Sequence, residues 1–395
     1  TVLNAAQSRG VNVTDCGDVL TPALALASME AGAAAVMITG SHIPADRNGL
    51  KFYTPAGEIT KAHEAAINAE LSEVEPYQGA PGIRTEMNAS DAYIQRYLDA
   101  FGRDALSGQV IGVYSHSTVG RDDLISILRG LGAEVKELGR SETFIPVDTE
   151  AVPEDVRDQL RAWADGLDAI VSMDGDGDRP LLTDANGEVV PGDILGQITA
   201  KFLGAEKVAT PISSNTGVTQ IGFTEVRTTR IGSPFVIAAM EELGGKVVGY
   251  EANGGFLVGF DGRVPPLMTR DSVLPIVSTL TAAKSGGVAD LVAQQPNCFT
   301  AADRLQDVPT DVSKALVAEL DQDASPFLNA LGGALSGVDR TDGLRMTLED
   351  GRIVHLRPSG NAPELRCYVE DVSKTRAQST LAEALNILRG LVAKA

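Results

Sequence analysis

The sequence predicts an α/β protein with three similar α/β domains containing mixed sheets, followed by a C-terminal α+β domain with an antiparallel sheet, arranged around a central cleft. Three observations support this prediction. A pattern of amphipathic helix, glycine and short β-branched strand recurs at residues 8–13, 130–135 and 242–248. The last part of the chain follows a hairpin pattern instead. The length of 395 residues also exceeds what one hydrophobic core usually supports.

The recurring pattern has a direct structural interpretation. A glycine after a helix suits the left-handed conformation that ends many helices. Strands that alternate with helices favour parallel α/β layers. Because the copies lie roughly a hundred residues apart, they suggest similar domains. We therefore expect domains at residues 1–103, 104–203, 204–294 and 295–395.

The C-terminal segment shows a different periodicity. Apolar strands at residues 344–348 and 353–356 flank Glu349-Asp350-Gly351, which is typical of a hairpin turn. Another strand is predicted at residues 365–369. A closing helix is indicated by apolar residues at helical spacing, namely Leu381, Ala384, Leu385, Leu388, Leu391 and Val392.

Composition narrows the functional classes. The formal net charge of −20 argues against a nucleic-acid-binding protein, because phosphate backbones select basic surfaces. The three cysteines, Cys16, Cys298 and Cys367, are typical of reduced, buried residues in a cytosolic protein. No apolar run approaches the length of a membrane span. We therefore expect a cytoplasmic monomer or homodimer that binds neither nucleic acid nor membranes.

The most informative motif is the acidic loop, residues 174–179, which reads Asp-Gly-Asp-Gly-Asp-Arg. In an extended loop, Asp174, Asp176 and Asp178 would share one face, as the oxygen ligands of a hard divalent cation must. The glycines would let the backbone bend around the ion. Arg179 adds a cationic fork suited to phosphate. An apolar strand at residues 169–171 is predicted to lead into this loop.

The acidic loop has two other interpretations. An EF-hand calcium loop needs Gly at its sixth position and Glu at its twelfth, where this chain has Arg179 and Ala185. The EF-hand interpretation is therefore excluded. A solvated turn without a metal stays open from the residues alone.

A second motif is the serine loop, residues 39–44, which follows an apolar strand and precedes Asn48-Gly49-Leu50-Lys51. Ser41 is a candidate nucleophile or phosphate carrier, and a serine hydroxyl needs a base or a metal to react. His42 and Lys51 are candidate acid–base groups. The alternative is a serine that caps a turn beside a surface histidine and a solvated lysine.

Two further loops complete the pattern. The arginine loop, residues 357–363, together with Arg366, places two guanidinium groups beside a hydroxyl, an amide and turn N–H groups, which suits phosphate. The glutamate loop, residues 250–256, offers Glu251 and Asn253 in a glycine-rich segment that would suit sugar hydroxyls. The alternatives are a Pro/Gly hairpin turn and a loop without a ligand.

These four loops, in this order, resemble those of the α-D-phosphohexomutase family, which includes phosphomannomutases and phosphoglucomutases. The resemblance implies an isomerase that interconverts hexose 6-phosphate and hexose 1-phosphate through a phosphoserine and a hexose 1,6-bisphosphate, which also serves as activator. Mannose phosphate is the first choice of substrate and glucose phosphate the second. The alternatives are an amino-sugar phosphate mutase, a metal-dependent phosphatase and a non-catalytic sugar-phosphate-binding homologue.

The resemblance also implies roles for individual residues. Ser41 would carry the phosphoryl group and, with the three aspartates of the acidic loop, bind Mg²⁺. Lys51 would act as general base, and His42 and Arg179 would assist. Glu251 and Asn253 would contact the sugar. The phosphate that is not transferred would be held by Arg357, Ser359, Gly360, Asn361 and Arg366. Further matching stretches include Arg270-Asp271 and 303–305, without an assigned role.

Several positions depart from the pattern of the family. Its opening glycine-rich strand, which carries an arginine, is not found, so we expect the first domain to be N-terminally incomplete here. Asn253 and Gly255 stand where the family usually has Ser and His. Asn361 and Ala362 replace a common Thr-Glu pair. These departures affect the expected sugar preference more than the chemistry.

Overall fold

A computed structural model describes residues 1–41, 48–71, 77–360 and 362–393. The chain divides into two compact units. The first unit comprises Thr1–Ala205 and Met240–Val292, and the second comprises Glu206–Ala239 and Ala293–Ala395. Each unit therefore contains two separate stretches of the chain.

Helices occur along the whole described chain. They are α1 (Val2–Ser8), α2 (Thr21–Glu30), α3 (Lys61–Ala69), α4 (Ser90–Phe101), α5 (Arg121–Gly130), α6 (Glu154–Trp163), α7 (Gly192–Phe202), α8 (Ser233–Leu243), α9 (Val273–Ala282), α10 (Val288–Ala293), α11 (Thr310–Gln322), α12 (Ser325–Ala330) and α13 (Lys374–Val392). Short 3₁₀ helices span Thr216–Gln220 and Ala283–Ser285.

Strands alternate with these helices until the C-terminal region. They are β1 (Val13–Asp15), β2 (Ala35–Thr39), β3 (Gly49–Thr54), β4 (Gly57–Glu58), β5 (Arg84–Glu86), β6 (Val110–Tyr114), β7 (Glu134–Leu138), β8 (Ala169–Met173), β9 (Pro180–Leu182), β10 (Lys207–Pro211), β11 (Glu225–Thr229), β12 (Val247–Tyr250), β13 (Phe256–Val258), β14 (Leu267–Asp271), β15 (Phe299–Leu305), β16 (Leu335–Asp339), β17 (Leu344–Leu348), β18 (Ile353–Pro358) and β19 (Leu365–Asp371).

The sheets of the first unit are mixed, as the sequence predicts. Strands β7, β6 and β8 are parallel neighbours, and β9 joins β8 antiparallel. Every residue of β8 is buried, which is typical of a strand covered on both faces. Strands β2, β3 and β4 form an antiparallel sheet, and β12, β13 and β14 pair antiparallel. Strands β1 and β5 pair in parallel.

The glycines of the recurring pattern end their helices as expected. Gly10, Gly132 and Gly244 have φ values of 78°, 94° and 52°, in the left-handed region. Each is followed within a few residues by a strand, namely β1, β7 and β12. Since an L-residue with a side chain is strained in this conformation, glycine fixes these helix-to-strand turns.

The C-terminal sheet lies in the second unit and is antiparallel throughout, in the order β15-β19-β18-β17-β16. The predicted hairpin is β17–β18, and α13 buries Leu381, Ala384, Leu385 and Leu388 in the core of this region. Strands β10 and β11 form a parallel pair in the same unit. The predicted α/β fold with an antiparallel C-terminal sheet is confirmed, whereas the four-domain boundaries and the central cleft stay predictions.

Two smaller findings concern the cysteines and the membrane. Cys367 is buried as expected, but Cys16 and Cys298 are partly exposed, so the expected burial is wrong for these two. Cys298 does not lie in a helix or strand. It belongs to the segment that connects the short helix α10 to β15. Within the described ranges, no helix combines the length and the apolar character that crossing a bilayer requires.

Two glycines inside helices lead to opposite expectations for alanine substitution. A Cβ added at Gly196 in α7 would lie 2.3 Å from Cγ of the buried Tyr250 ring. We therefore expect Gly196→Ala to destabilise its unit by about 1–3 kcal/mol through overpacking, despite the better helix propensity of alanine.

Gly390 in α13 is the matched control. A Cβ there would meet nothing within 4 Å, so Gly390→Ala should stabilise α13 by up to about 1 kcal/mol. Hydrogen exchange of α7 and α13 in urea would measure both effects. Equal stabilisation of the two helices would contradict the packing described for Tyr250.

Candidate active site

The acidic loop directly follows the buried strand β8. It is a tight turn rather than the extended segment expected, because the Gly177 N–H donates to the Asp174 carbonyl at 3.2 Å and the Asp174 N–H to the Arg179 carbonyl at 3.0 Å. The turn nevertheless brings the carboxylates together. One oxygen from each of Asp174, Asp176 and Asp178 lies within 4.8 Å of the others, and all three residues are buried.

Neighbouring elements hold this turn in place. The Thr118 hydroxyl donates to the Asp174 carbonyl at 2.7 Å, and the Ser272 hydroxyl donates to the Gly177 carbonyl at 2.6 Å. Gly177 has a φ of 72°, and a Cβ there would lie 1.9 Å from Cδ2 of Leu20. A glycine is therefore required by both the conformation and the packing.

Burial of three carboxylates perturbs their protonation. Burial, followed by the charges of Asp178 and Asp176, raises the pKa of Asp174 to about 8. For Asp178, burial acts to raise the pKa, but Arg270, Lys51 and Arg179 outweigh it, so the pKa falls below its usual value. Burial and the neighbouring carboxylates thus favour the neutral form of Asp174, whereas the surrounding cations favour the charged form of Asp178.

The donor set fits a divalent cation. The Oδ1 atoms of Asp176 and Asp178 are buried and have no hydrogen-bond partner among the residues that the structure describes. Buried carboxylate oxygens without partners are costly, and a hard cation such as Mg²⁺ prefers this type of ligand. The three aspartates could therefore hold a metal.

Ser41 reaches this cluster from β2. Its hydroxyl donates to Oδ2 of Asp174 at 2.7 Å, and its N–H donates to the Thr39 hydroxyl at 2.7 Å. The residue has a left-handed φ of 49°, which is uncommon without a functional or structural reason. A Cβ on Gly175 would lie 2.4 Å from the Ser41 carbonyl oxygen, so glycine permits this close approach.

Lys51 contacts two of the three aspartates. It lies on β3, because residues 49–54 pair with β2 and Lys51 opposes Met37. Its Nζ donates to Oδ2 of Asp176 and of Asp178, each at 2.6 Å. Burial acts to lower the pKa of Lys51, but the charges of Asp178 and Asp176 outweigh it, so the pKa is raised and the amine is charged.

Arg179 and His42 are the remaining candidate catalytic residues. The Arg179 Nε lies 3.9 Å from Oδ2 of Asp174 and 3.7 Å from Oδ1 of Asp178. Arg179 therefore contributes positive charge at the edge of the cluster. His42 lies outside the described residues.

The glutamate loop folds back on itself after β12. The Glu251 N–H donates to the Gly255 carbonyl at 3.1 Å, and Asn253 Oδ1 accepts from the Gly255 N–H at 3.0 Å. The Asn253 oxygen is thus engaged in shaping the loop. A Cβ on Gly192 would lie 2.3 Å from the Gly254 nitrogen, so the loop packs directly on the start of α7.

Arg270 connects this loop with the acidic loop. From β14 its Nη1 donates to Oε2 of Glu251 at 3.0 Å, and its Nη2 donates to Oδ2 of Asp178 at 2.7 Å. Sequence reasoning matched this stretch to a family but assigned it no role. The first unit therefore brings together the serine, acidic and glutamate loops through Ser41, Lys51 and Arg270.

The arginine loop is part of the second unit. Arg357 on β18 stands directly opposite Arg366 on β19, which in turn stands opposite Arg304 on β15. Directly opposed residues share one face of a sheet, and like charges there repel. Two carboxylates offset this repulsion: Asp342 accepts from Arg357 Nε at 2.8 Å, and Glu364 lies 3.3 Å from Arg304 Nε and 3.5 Å from Arg366 Nη2.

The turn of the arginine loop follows this cationic row. Ser359 is buried, and its N–H donates to the Glu364 carbonyl at 2.9 Å. Gly360 is exposed, and a Cβ there would meet nothing within 4 Å. Asn361 lies outside the described residues. Asp342 is positioned by His355, whose Nε2 donates to the Asp342 carbonyl at 2.5 Å.

Sequence models of one family match three stretches of the chain. They are described as phosphoglucomutase/phosphomannomutase, with alpha/beta/alpha domain I at residues 1–78, alpha/beta/alpha domain III at 191–299 and the C-terminal domain at 301–387. A phosphomannomutase of Sinorhizobium fredii is 47% identical over 400 residues, which cover 96% of this chain and 84% of the relative. This chain belongs to the phosphoglucomutase/phosphomannomutase family.

Other comparisons agree with this membership. A phosphomannomutase of Salmonella muenchen is 42% identical over 406 residues, covering 99% of this chain and 84% of the relative. The crystal structure of a putative phosphomannomutase from Thermus thermophilus shares the fold, with a TM-score of 0.76 at 22% identity over 98% of this chain and 86% of that one. The resemblance drawn from the four loops is thus confirmed, and the chain is an enzyme of the mutase type.

The buried His355 of this family member predicts a pH dependence of stability. Burial, partly offset by the hydrogen bond to Asp342, lowers the pKa of His355 to about 4 from 6.5. Between these pH values, position 355 binds more protons in the unfolded chain than in the folded one. The contribution of neutral His355 to the free energy of unfolding is therefore complete above pH 6.5 and is lost as the pH falls from 6.5 to about 4. The loss for this residue is about 3 kcal/mol.

His355→Gln keeps a side-chain N–H but removes the titrating group. We expect the variant to lose less stability than the wild-type protein when the pH is lowered from above 6.5 to about 4. Urea unfolding across this range, followed by hydrogen exchange of β17 and β18, would measure the difference. Parallel pH profiles would contradict the prediction.

Proposed function

We propose that this chain interconverts hexose 6-phosphate and hexose 1-phosphate, with mannose phosphate as the preferred substrate and glucose phosphate as the second. One observation carries the proposal: the Ser41 hydroxyl donates to Asp174 within a buried cluster of three carboxylates and a lysine. The choice of mannose is supported by two relatives that are named phosphomannomutase at 47% and 42% identity. These names do not favour the phosphatase, amino-sugar or binding-only alternatives.

The proposed reaction moves one phosphoryl group at a time. The phosphorylated Ser41 transfers its phosphoryl group: the Oγ–P bond breaks and a P–O bond forms to the free hydroxyl of the sugar phosphate. The proton of that hydroxyl passes to a general base, and Ser41 Oγ takes up a proton to become a hydroxyl again. The resulting 1,6-bisphosphate turns around, and its other phosphoryl group returns to Ser41. Phosphate is conserved in each cycle, and positioning of the reacting atoms supplies most of the acceleration. A hexose 1,6-bisphosphate would also activate the enzyme by phosphorylating Ser41.

The metal in this proposal is Mg²⁺, held by Asp174, Asp176 and Asp178 together with the phosphorylated Ser41. When bound, Mg²⁺ would supply positive charge that offsets the charge of the phosphoryl group. An Aspergillus fumigatus N-acetylphosphoglucosamine mutase, which shares the fold with a TM-score of 0.60, has been crystallised with GlcNAc-6P and magnesium. Oδ1 of Asp176 and Oδ1 of Asp178, which have no hydrogen-bond partner among the described residues, support a metal at this position.

Charged side chains around the cluster would handle the proton and the phosphate. Lys51 is an ammonium ion bound to two carboxylates, so it must leave them and lose its proton before it can act as general base. Arg179 would stabilise the phosphoryl group in transit. His42 is assigned to proton transfer by the family resemblance alone.

Substrate recognition would involve the glutamate loop and the arginine loop. Glu251 and Asn253 would contact the sugar hydroxyls in the first unit. Arg357, Ser359, Gly360, Asn361 and Arg366 would hold the phosphate that is not being transferred. The row of opposed arginines supports this assignment, because an anion would relieve the repulsion within it. The cytoplasmic location and the monomeric or dimeric state stay predictions.

A coupled assay tests the proposed function. It would contain Mg²⁺ and a hexose 1,6-bisphosphate, with mannose 1-phosphate and glucose 1-phosphate in parallel reactions. We expect 6-phosphate from both sugars and a higher kcat/KM for the mannose compound. Net release of phosphate, or turnover of an amino-sugar phosphate alone, would contradict the proposal.

Removal of the proposed phosphoryl carrier should stop the cycle. Ser41→Ala should lower kcat by at least about a thousandfold while leaving the protein folded, because no other residue would replace the covalent carrier. Intact mass after incubation with the bisphosphate should show one added phosphoryl group in the wild-type protein and none in the variant. Ser126→Ala, which changes an exposed serine on α5, is the control. Wild-type turnover by Ser41→Ala would disprove the carrier assignment.

Removal of one proposed metal ligand should affect metal binding directly. Asp176→Asn keeps the size of the side chain but removes its charge, and should weaken Mg²⁺ binding by roughly 10–100-fold together with activity. Titration calorimetry with Mn²⁺ would measure this loss without turnover. Asp158→Asn, at an exposed aspartate bound to Arg161, is the matched control. Unchanged metal affinity in Asp176→Asn would exclude this residue as a ligand.

A further inference from the structure

Arg270 forms two ion pairs with separate loops. Its side chain is 11% exposed, and its two Nη atoms bind Oδ2 of Asp178 at 2.7 Å and Oε2 of Glu251 at 3.0 Å. Both carboxylates are nearly inaccessible, with 1% and 5% exposure. Because screening by water is weak there, each carboxylate depends on this guanidinium for much of its charge compensation.

The backbone and stem of Arg270 leave it little freedom to move. Glu58 Oε1 accepts from the Thr269 hydroxyl at 2.9 Å and from the Arg270 N–H at 3.4 Å, which fixes this end of β14. A Cβ on Gly255 would lie 2.7 Å from Cδ of Arg270, so the aliphatic stem packs on the glutamate loop itself. The guanidinium is therefore held in contact with both carboxylates, and a change of charge on either one alters its interaction with the other.

The acidic loop already has a competing cation at the same oxygen. Lys51 Nζ lies 2.6 Å from the Asp178 Oδ2 that also accepts from Arg270. Any metal bound by the three aspartates must share Asp178 with Arg270. The more strongly Arg270 is engaged by Glu251, the less positive charge it presents to a metal at Asp178.

We propose that Arg270 is a positioning residue that couples the acidic loop to the glutamate loop, so that the charge at Glu251 sets the metal affinity at Asp178. This inference rests on the proposed roles of the two loops in metal and sugar binding. By reciprocity, a metal on Asp178 changes the affinity of the glutamate loop for its ligand by the same factor. The ligand at Glu251 would be a neutral, hydroxyl-rich group that competes with Arg270 for the carboxylate.

A double-mutant cycle on metal affinity tests the coupling. The dissociation constant of Mn²⁺ would be measured by calorimetry, without sugar, for wild type, Glu251→Gln, Arg270→Met and the double variant. Glu251→Gln leaves Arg270 bound to Asp178 alone and should weaken Mn²⁺ binding roughly tenfold. Arg270→Met removes the competing charge and should tighten it. In the Arg270→Met background, the change in the Mn²⁺ dissociation constant caused by Glu251→Gln should be at least about fivefold smaller than in the wild-type protein.

Two further variants keep the test decisive. Arg270→Lys retains the charge but loses the rigid fork whose two separate Nη donors hold Asp178 and Glu251 at once, so the effect of Glu251→Gln should shrink in this background as well. It replaces Arg270→Met if the latter fails to fold. Arg263→Met removes an arginine of the same unit that lies over the Phe101 and Phe202 rings, and should leave Mn²⁺ affinity unchanged. An equal effect of Glu251→Gln with and without Arg270 would overturn the coupling.

The metal measurement separates this inference from the proposed function. The double-mutant cycle measures Mn²⁺ affinity without sugar phosphate. If it shows coupling but the enzyme has no mutase activity, the role of Arg270 stands and the proposed function is wrong. If the enzyme has mutase activity but the effects of the two substitutions on Mn²⁺ affinity are additive, the proposed function stands and the coupling through Arg270 is wrong. In a turning-over enzyme, Arg270→Met should also raise KM for mannose 1-phosphate by about tenfold, with partial recovery in Arg270→Lys.

Discussion

The structure of the first unit depends on the burial of three carboxylates within 4.8 Å of one another. Like charges at this distance in a poorly solvated environment repel strongly, so the cluster exists only with compensation. The ammonium of Lys51 and the guanidinium groups of Arg270 and Arg179 supply it. Lys51 and Arg270 come from different strands, and the need to neutralise one cluster therefore draws β3, β8 and β14 towards a common point.

Glycine makes this convergence possible by allowing backbone to meet backbone. Gly175 leaves room for the carbonyl of Ser41. The Ser41 hydroxyl can therefore contact Asp174, although the two residues are 133 positions apart in the sequence. Gly192 of α7 admits the backbone of the glutamate loop, and Gly255 of that loop admits the aliphatic stem of Arg270. At each of these positions a methyl group would move a reactive or binding group away from the cluster. The site is thus defined by where side chains are missing as well as by where charges stand.

The sequence predicted the loops well because their signals are local. The acidic loop, the strand before Ser41 and the hairpin at Gly351 each depend on a few consecutive residues.

The pairing of distant residues was not predictable in this way. Arg270 is 92 positions from Asp178, and its role follows from the register of β14 rather than from its neighbours in sequence. The same applies to the row formed by Arg304, Arg366 and Arg357, which exists only because β15, β19 and β18 are adjacent. Lys51 was a candidate from the sequence, but its contacts with Asp176 and Asp178 depend on the pairing of β3 with β2. Even for the acidic loop, the convergence of the aspartates was predicted for the wrong reason, since a turn and not an extended segment produces it.

The backbone at Ser41 limits which side chains fit at this position. Its φ of 49° places the residue in the left-handed region, which a β-branched side chain enters only with considerable strain. Threonine offers the same hydroxyl chemistry, yet its second Cβ substituent is poorly compatible with this conformation. The choice between two chemically equivalent alcohols at this position is therefore made by steric hindrance in the main chain and not by nucleophilicity.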